Sequence, residues 1–197
     1  MTITALQMKM FRRFEIKQHI ISQKDWAMRM VYRLILLCLI GFIVAVGCSD
    51  KPQRQLYEKE GAFSYDPPAG WNVVEFPGLK YRIAHGPKEN NFAPNINVVD
   101  EIFQGSLDDY VDANLKNMEE LMVDFEIIKR KNFKTMDNVD AVFFVSENKQ
   151  QDVMIRQHFF IIESGKRKYV VTLSTRADGG DVLDDVFEKS MSTFRFH

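Results

Sequence analysis

The chain reads as α+β: a mainly antiparallel sheet with helices packed on its faces. Two observations predict this. Strand-like runs follow one another without regular β-α-β alternation. Only two segments, one opening at Ser106 and one near Asp181, carry apolar residues at helical spacing. The size agrees: 197 residues, 46% hydrophobic and 27% charged, suit one domain plus an extra segment. That composition excludes wholesale disorder, collagen-like repeats and a polytopic membrane protein. Two cysteines, Cys38 and Cys48, cannot make a disulfide scaffold or a zinc finger.

The charge is unevenly spread. Residues 1–33 carry seven basic and two acidic side chains, whereas residues 48–197 carry 19 basic and 25 acidic. Between them, residues 34–47 carry no charge. A helix of that length rises about 21 Å, short of the roughly 30 Å hydrocarbon core. A basic flank, a short apolar run and small residues at the exit describe a secretory signal. Met28 and Met30 lie just before the run, and a start at either gives a signal of ordinary length. Arg12 and Arg13 do not make a convincing twin-arginine signal, because Glu15 stands where an apolar residue belongs.

Ala45, Val46, Gly47 and Cys48 close that run, and together they resemble the lipobox of bacterial lipoproteins. The resemblance implies cleavage between Gly47 and Cys48 and lipidation of Cys48. Ala45 stands where leucine is usual in that family. An uncleaved anchor helix with an incidental cysteine is the alternative. Acyl chains bury methylenes at about 0.8 kcal/mol each, which anchors a protein without a span. The expected plan is a signal peptide at 1–47 (with 1–27 a possible misassigned start), a tether at 48–59 and a domain at 60–197. Ser49 after the lipidated cysteine favours, by analogy with enteric lipoproteins, the periplasmic face of the outer membrane. The mature chain then keeps no free thiol.

The domain's elements follow in order. Phe63 to Tyr65 alternates into the turn cluster Asp66, Pro67, Pro68, Ala69, Gly70. Residues 71–76 and 81–84 are strand-like, 86–94 reads as a loop, and 95–100 alternates again. Ser106 with Asp109 makes a capping box, and Asp108 suits the positive helix end. Leu107, Tyr110, Val111, Leu115, Met118, Leu121 and Met122 form one stripe of that helix. Strands are expected at 125–128, 141–145, 153–162 and 169–174, with Gly165 turning the last pair. Asp181 is expected to cap a final helix with the stripe Val182, Leu183, Val186, Phe187 and Met191. Phe194 and Phe196 either alternate in a closing strand or simply pack.

These residues carry a second resemblance. The opening stretch 63–71, Phe-Ser-Tyr-Asp-Pro-Pro-Ala-Gly-Trp, is similar to the start of the PsbP family, the extrinsic photosystem II subunits and their bacterial relatives. The order that follows is similar too: Asn95 to Val98, the helix opened by Ser106 to Tyr110, a meander, Tyr169 to Leu173, and a terminal helix. The likeness spans about residues 60–196. It implies an α/β/α sandwich around an antiparallel sheet and a mostly non-enzymatic, partner-binding or assembly role. In a photosynthetic source it implies a photosystem II extrinsic subunit.

No catalytic or nucleotide-binding motif is present: no Gly-x-Ser-x-Gly, P-loop, Gly-x-Gly-x-x-Gly or His-Glu-x-x-His. No catalytic residue and no enzyme activity are expected. His158, among Arg156, Gln157 and Phe159, reads as a packed or surface histidine. His85 with Glu89, and Asp178 with Asp181, are the candidate metal ligands, calcium foremost, since calcium takes six to eight oxygens. Helix capping already accounts for the aspartates. Two basic runs, Lys129, Arg130, Lys131, Lys134 and Lys166, Arg167, Lys168, are placed at turns between strands. They read either as solvated hairpin ends that guard sheet edges or as a docking patch for an acidic envelope protein or anionic headgroups. Nucleic acid is not an expected partner of an exported domain with net charge -6.

Overall fold

The computed structural model describes residues 55–197. The signal read over 1–47, the start at Met28 or Met30, Gly47, Cys48 and most of the tether lie outside the described residues.

Among the described residues, ten strands and two helices follow in order: β1 Leu56–Glu58, β2 Phe63–Tyr65, β3 Asn72–Val74, β4 Ile83–His85, β5 Asn95–Ile102, α1 Leu107–Leu121, β6 Val123–Lys134, β7 Asp140–Gln150, β8 Val153–Ser164, β9 Arg167–Arg176, α2 Asp184–Ser192 and β10 Arg195–Phe196. A 3-10 turn, Gly180–Leu183, leads into α2. Seven strands form one antiparallel sheet in the order β3-β4-β5-β9-β8-β7-β6. A small sheet, β1-β2-β10, stands apart from it. The class is therefore the α+β arrangement the sequence predicts.

The register explains the near-continuous burial of β7, β8 and β9. Phe143, Phe160 and Val171 are cross-strand neighbours on one face. That face meets Phe63 of the small sheet, Phe187 and Met191 of α2, and Phe194 between α2 and β10. Phe144 and Phe159 stack at 4.7 Å on the other face. That face carries α1, whose Asp112 reaches Arg130 opposite Phe144. A sheet covered on both sides loses the alternation of a half-exposed strand, hence apolar runs such as residues 159–162. α1 carries the chain from β5 across this face to β6, the far edge.

Local signals act as predicted at two places. Ser106 Oγ accepts from the Asp109 backbone N–H at 3.1 Å, and Asp109 Oδ2 accepts from the Ser106 backbone N–H at 3.1 Å. Gly165 turns β8 into β9 at φ +60°, a left-handed conformation only glycine adopts freely. Phe196 lies in the closing strand β10, paired with Phe63 of β2, and Phe194 is buried just before it.

Several expectations are corrected. Leu121 is 49% exposed, and Asn114, bonded to the Tyr110 carbonyl at 2.7 Å, is buried in the α1 stripe instead. Val182 is 74% exposed and Val186 is partly exposed, because only Phe187, Ser190 and Met191 of α2 turn inward. Asp181 caps nothing; neither the 3-10 turn nor α2 has a side-chain cap. Residues 86–94 are the expected loop, tightened by Glu89 and Phe92 exchanging backbone bonds of 2.8 Å around Asn90 and Asn91 at φ +48° and +64°. The run 129–134 is not a turn. It continues β6, whose two bulges let the edge strand bend and persist for 12 residues. Arg167 and Lys168 likewise belong to β9, leaving only Lys166 in the turn.

Candidate functional site

A cleft of about 460 Å³ opens between the turn at residues 66–69 and α2. Pro67, Pro68, Ala69 and Val186 give it an apolar floor; Asp66 and Lys189 stand at its rim, and Gln55 completes the wall. Its hydroxyls are already engaged. Ser190 Oγ donates to the Asp66 carbonyl at 2.6 Å. Thr193 Oγ1 accepts from the Asp66 N–H at 2.8 Å and donates to the Ser190 carbonyl at 2.7 Å. These bonds fasten the diproline turn to the helix, so the cleft is preformed, and binding there orders little chain.

Beside it, Asp184 joins α2 to β8. Its carboxylate accepts from Arg156 Nε at 3.0 Å, Arg156 Nη2 at 2.7 Å and His158 Nε2 at 2.8 Å. Arg156 also donates to Glu147 at 2.8 Å. Burial of the His158 ring outweighs the pull of Asp184 and, with the nearby Arg156, lowers its pKa to about 4. Burial opposes ionisation of Asp184, yet Arg156 and His158 hold its carboxyl below the usual range. The imidazole is wholly buried, so no substrate reaches it. A second pair has nucleophile and base chemistry: Ser64 Oγ and His197 Nε2 are 2.7 Å apart. Ser64 is equally buried, so its oxygen cannot attack an external substrate.

The basic runs are largely committed to neighbours. Lys129 and Lys131 both donate to Glu188, at 3.0 and 2.6 Å. Arg130 stands 3.6 Å from Asp112 and Lys134 2.9 Å from Asp140. Arg167 is bonded to Asp100, which also accepts from Lys80 at 2.9 Å and Tyr81 at 3.0 Å. Lys168, 1% exposed, is paired with Glu163. It cannot touch a partner.

The candidate metal ligands do not converge. His85 is buried and donates Nδ1–H to the Gly86 carbonyl at 3.1 Å. Glu89 lies on the exposed loop. Asp178 accepts twice from Arg176, at 2.8 and 3.0 Å. Asp181 is exposed. Among the described residues no three His, Cys, Asp or Glu side chains group for an ion.

Sequence reasoning missed one feature. Asn72, His85, Asn95, Ser174, Gln157 and Ser146 stand in direct register across six strands, and the last five are buried. Gln157 donates to Ser174 at 3.1 Å and accepts from Asn148 at 2.8 Å. Ser146 Oγ, and Asn97 Oδ1 and Thr172 Oγ1 beside the row, have no protein partner. Each such buried group costs about 1–3 kcal/mol, a cost native folds concentrate where it serves function. The only sequence signal was isolated polar residues within apolar strands, and their alignment needs the register.

No family model and no curated protein matches the chain. Solved structures do. Cyanobacterial PsbP (CyanoP) from Synechocystis aligns at 14% identity over 79% of this chain and 99% of its own, with a TM-score of 0.55. LpqN, involved in cell envelope biogenesis of Mycobacterium tuberculosis, aligns at 13% identity over 73% of this chain and 89% of its own, TM-score 0.52. A protein of unknown function from Pseudomonas aeruginosa, PA94, aligns at 16% identity over 64% and 96%, TM-score 0.51. At these identities the likeness is one of fold: the described domain has a PsbP-like fold.

Proposed function

We propose that this chain is a non-enzymatic binding module of the cell envelope. Lipid on Cys48 holds it at a membrane, and it engages a partner protein through the cleft between residues 66–69 and α2. The preformed cleft carries this reading. It is open, apolar at its floor and charged at its rim, which suits a polypeptide segment. Gln55 lies in its wall, so the tether enters the domain at the cleft and a bound partner is held near the membrane. The cleft outranks the basic runs because most of those cations are already paired with a carboxylate. LpqN, similar in fold, takes part in envelope biogenesis, and a binding module is consistent with that setting.

The test is site-specific photocrosslinking in the native cells. A photoreactive residue at Val186 or Ala69 captures one reproducible protein, while the same residue at Ile102, exposed on β5, captures none. Absence of an adduct at both cleft positions defeats the proposal.

A further inference from the structure

We propose that two copies of this chain pair edge to edge through β6, antiparallel about a two-fold axis between Ile127 and Ile128. β6 is the long edge strand of the seven-stranded sheet, whose other edge is the three-residue β3, and it is exposed along most of its 12 residues. Val123, Ile127 and Ile128 lie among its exposed apolar side chains. Its charges are segregated: Asp124 and Glu126 precede the centre, and Lys129, Arg130, Lys131 and Lys134 follow it. Neither acid has an ion pair among the described residues. On the basic half, two lysines share the single carboxylate of Glu188, which leaves one positive charge uncompensated.

A two-fold antiparallel pairing turns this segregation into complementarity. With Ile127 opposite Ile128 of the second copy, Glu126 stands opposite Lys129 of the second copy, and Asp124 approaches its Lys131. The pair is geometrically consistent. Glu126 and Lys129 oppose Glu147 and Val145 on β7, two residues apart, so both side chains project from the same sheet face. Opposite charges in facing positions stabilise a strand pair, and like charges disfavour it. The edge also carries guards: lysines, two bulges and Asp124 at φ +52°. Such devices oppose unlimited strand addition. An isologous pair consumes both edges at once and closes. A parallel in-register pairing sets lysine against lysine, and antiparallel shifts of one or two residues keep only one of the two acid–base pairs per strand, so the charge pattern favours this register.

The test uses the full chain in its own membranes. Ile127→Cys and Ile128→Cys are oxidised and run without reductant, beside the parent chain and Ile102→Cys, which lies four strands away. The expected result is a disulfide-linked homodimer at 127 and 128 only. Glu126→Lys should reduce that dimer on the order of tenfold, and Glu126→Lys combined with Lys129→Glu should restore it. Thermal melts check that each variant folds. No dimer at either central position, an equal dimer at 102, indifference to the charge swap, or an adduct with a different protein overturns the proposal.

Discussion

Replacing His158 by glutamine should flatten the dependence of stability on acid. The wild-type ring titrates at about 4 in the fold, against an ordinary value of 6.5. The folded imidazole therefore stays neutral over an interval in which the unfolded one takes up a proton. Its contribution is complete above pH 6.5 and is lost as pH falls toward 4. Each pH unit of that interval is worth about 1.4 kcal/mol, so the whole amounts to roughly 3 kcal/mol. Asp100, Asp184 and Glu188 behave differently. Their carboxyls are held low by Lys80 and Arg167, by Arg156, and by Lys131 and Lys129, against the opposing effect of burial. Their contribution is present above the ordinary carboxylate range and disappears only below it. The assay is urea unfolding followed by tryptophan fluorescence, with Trp71 packed edge-on against Phe187 at 5.8 Å, at half-unit steps from pH 7.5 to 4. The wild-type protein should lose about 3 kcal/mol more over that range than His158→Gln. Parallel curves for the two proteins would refute the reasoning, because His158 would then titrate alike folded and unfolded.

Three further outcomes are expected. Cys48→Ser should move the protein from the membrane to the soluble fraction and abolish incorporation of labelled palmitate; retention of both would exclude the lipid anchor. Ser106→Ala removes the acceptor of the Asp109 N–H and should cost about 1 kcal/mol, read as a fall in Tm by calorimetry. Lys168→Met removes a buried cation but strands only the partly exposed Glu163, so it should be far milder than the roughly 3–5 kcal/mol of a broken buried pair; a larger loss in chemical denaturation would show that the pair itself secures β9.

Legibility followed sequence distance. The capping box at Ser106 and Asp109 was readable because both partners lie within one helical turn. Gly165 was readable because a two-residue turn needs a left-handed residue wherever it occurs. The strands β7, β8 and β9 were readable as β-rich runs, though their burial on both faces was not. The basic run at 129–134 misled because charge density alone does not separate a turn from an exposed edge strand. Asp181 misled because a capping residue looks the same whether or not a helix starts beside it. The cleft was half visible: the diproline turn stood out, but its facing wall lies about 120 residues further on.

The sequence by itself determined the α+β class, the order of most elements, the break between a basic and apolar stretch and an acidic remainder, and the lack of a catalytic motif. These rest on periodicity, composition and turn chemistry, which act over a few residues. The tertiary structure alone decided that Lys168 is buried, that Asp184 ties α2 to Arg156 and His158, that polar side chains align across six strands, and that β6 lies at an edge of the sheet. Each of these depends on which strand neighbours which and in what register. That is settled by burying both faces of one sheet together, a property of the whole chain that no short stretch of it carries.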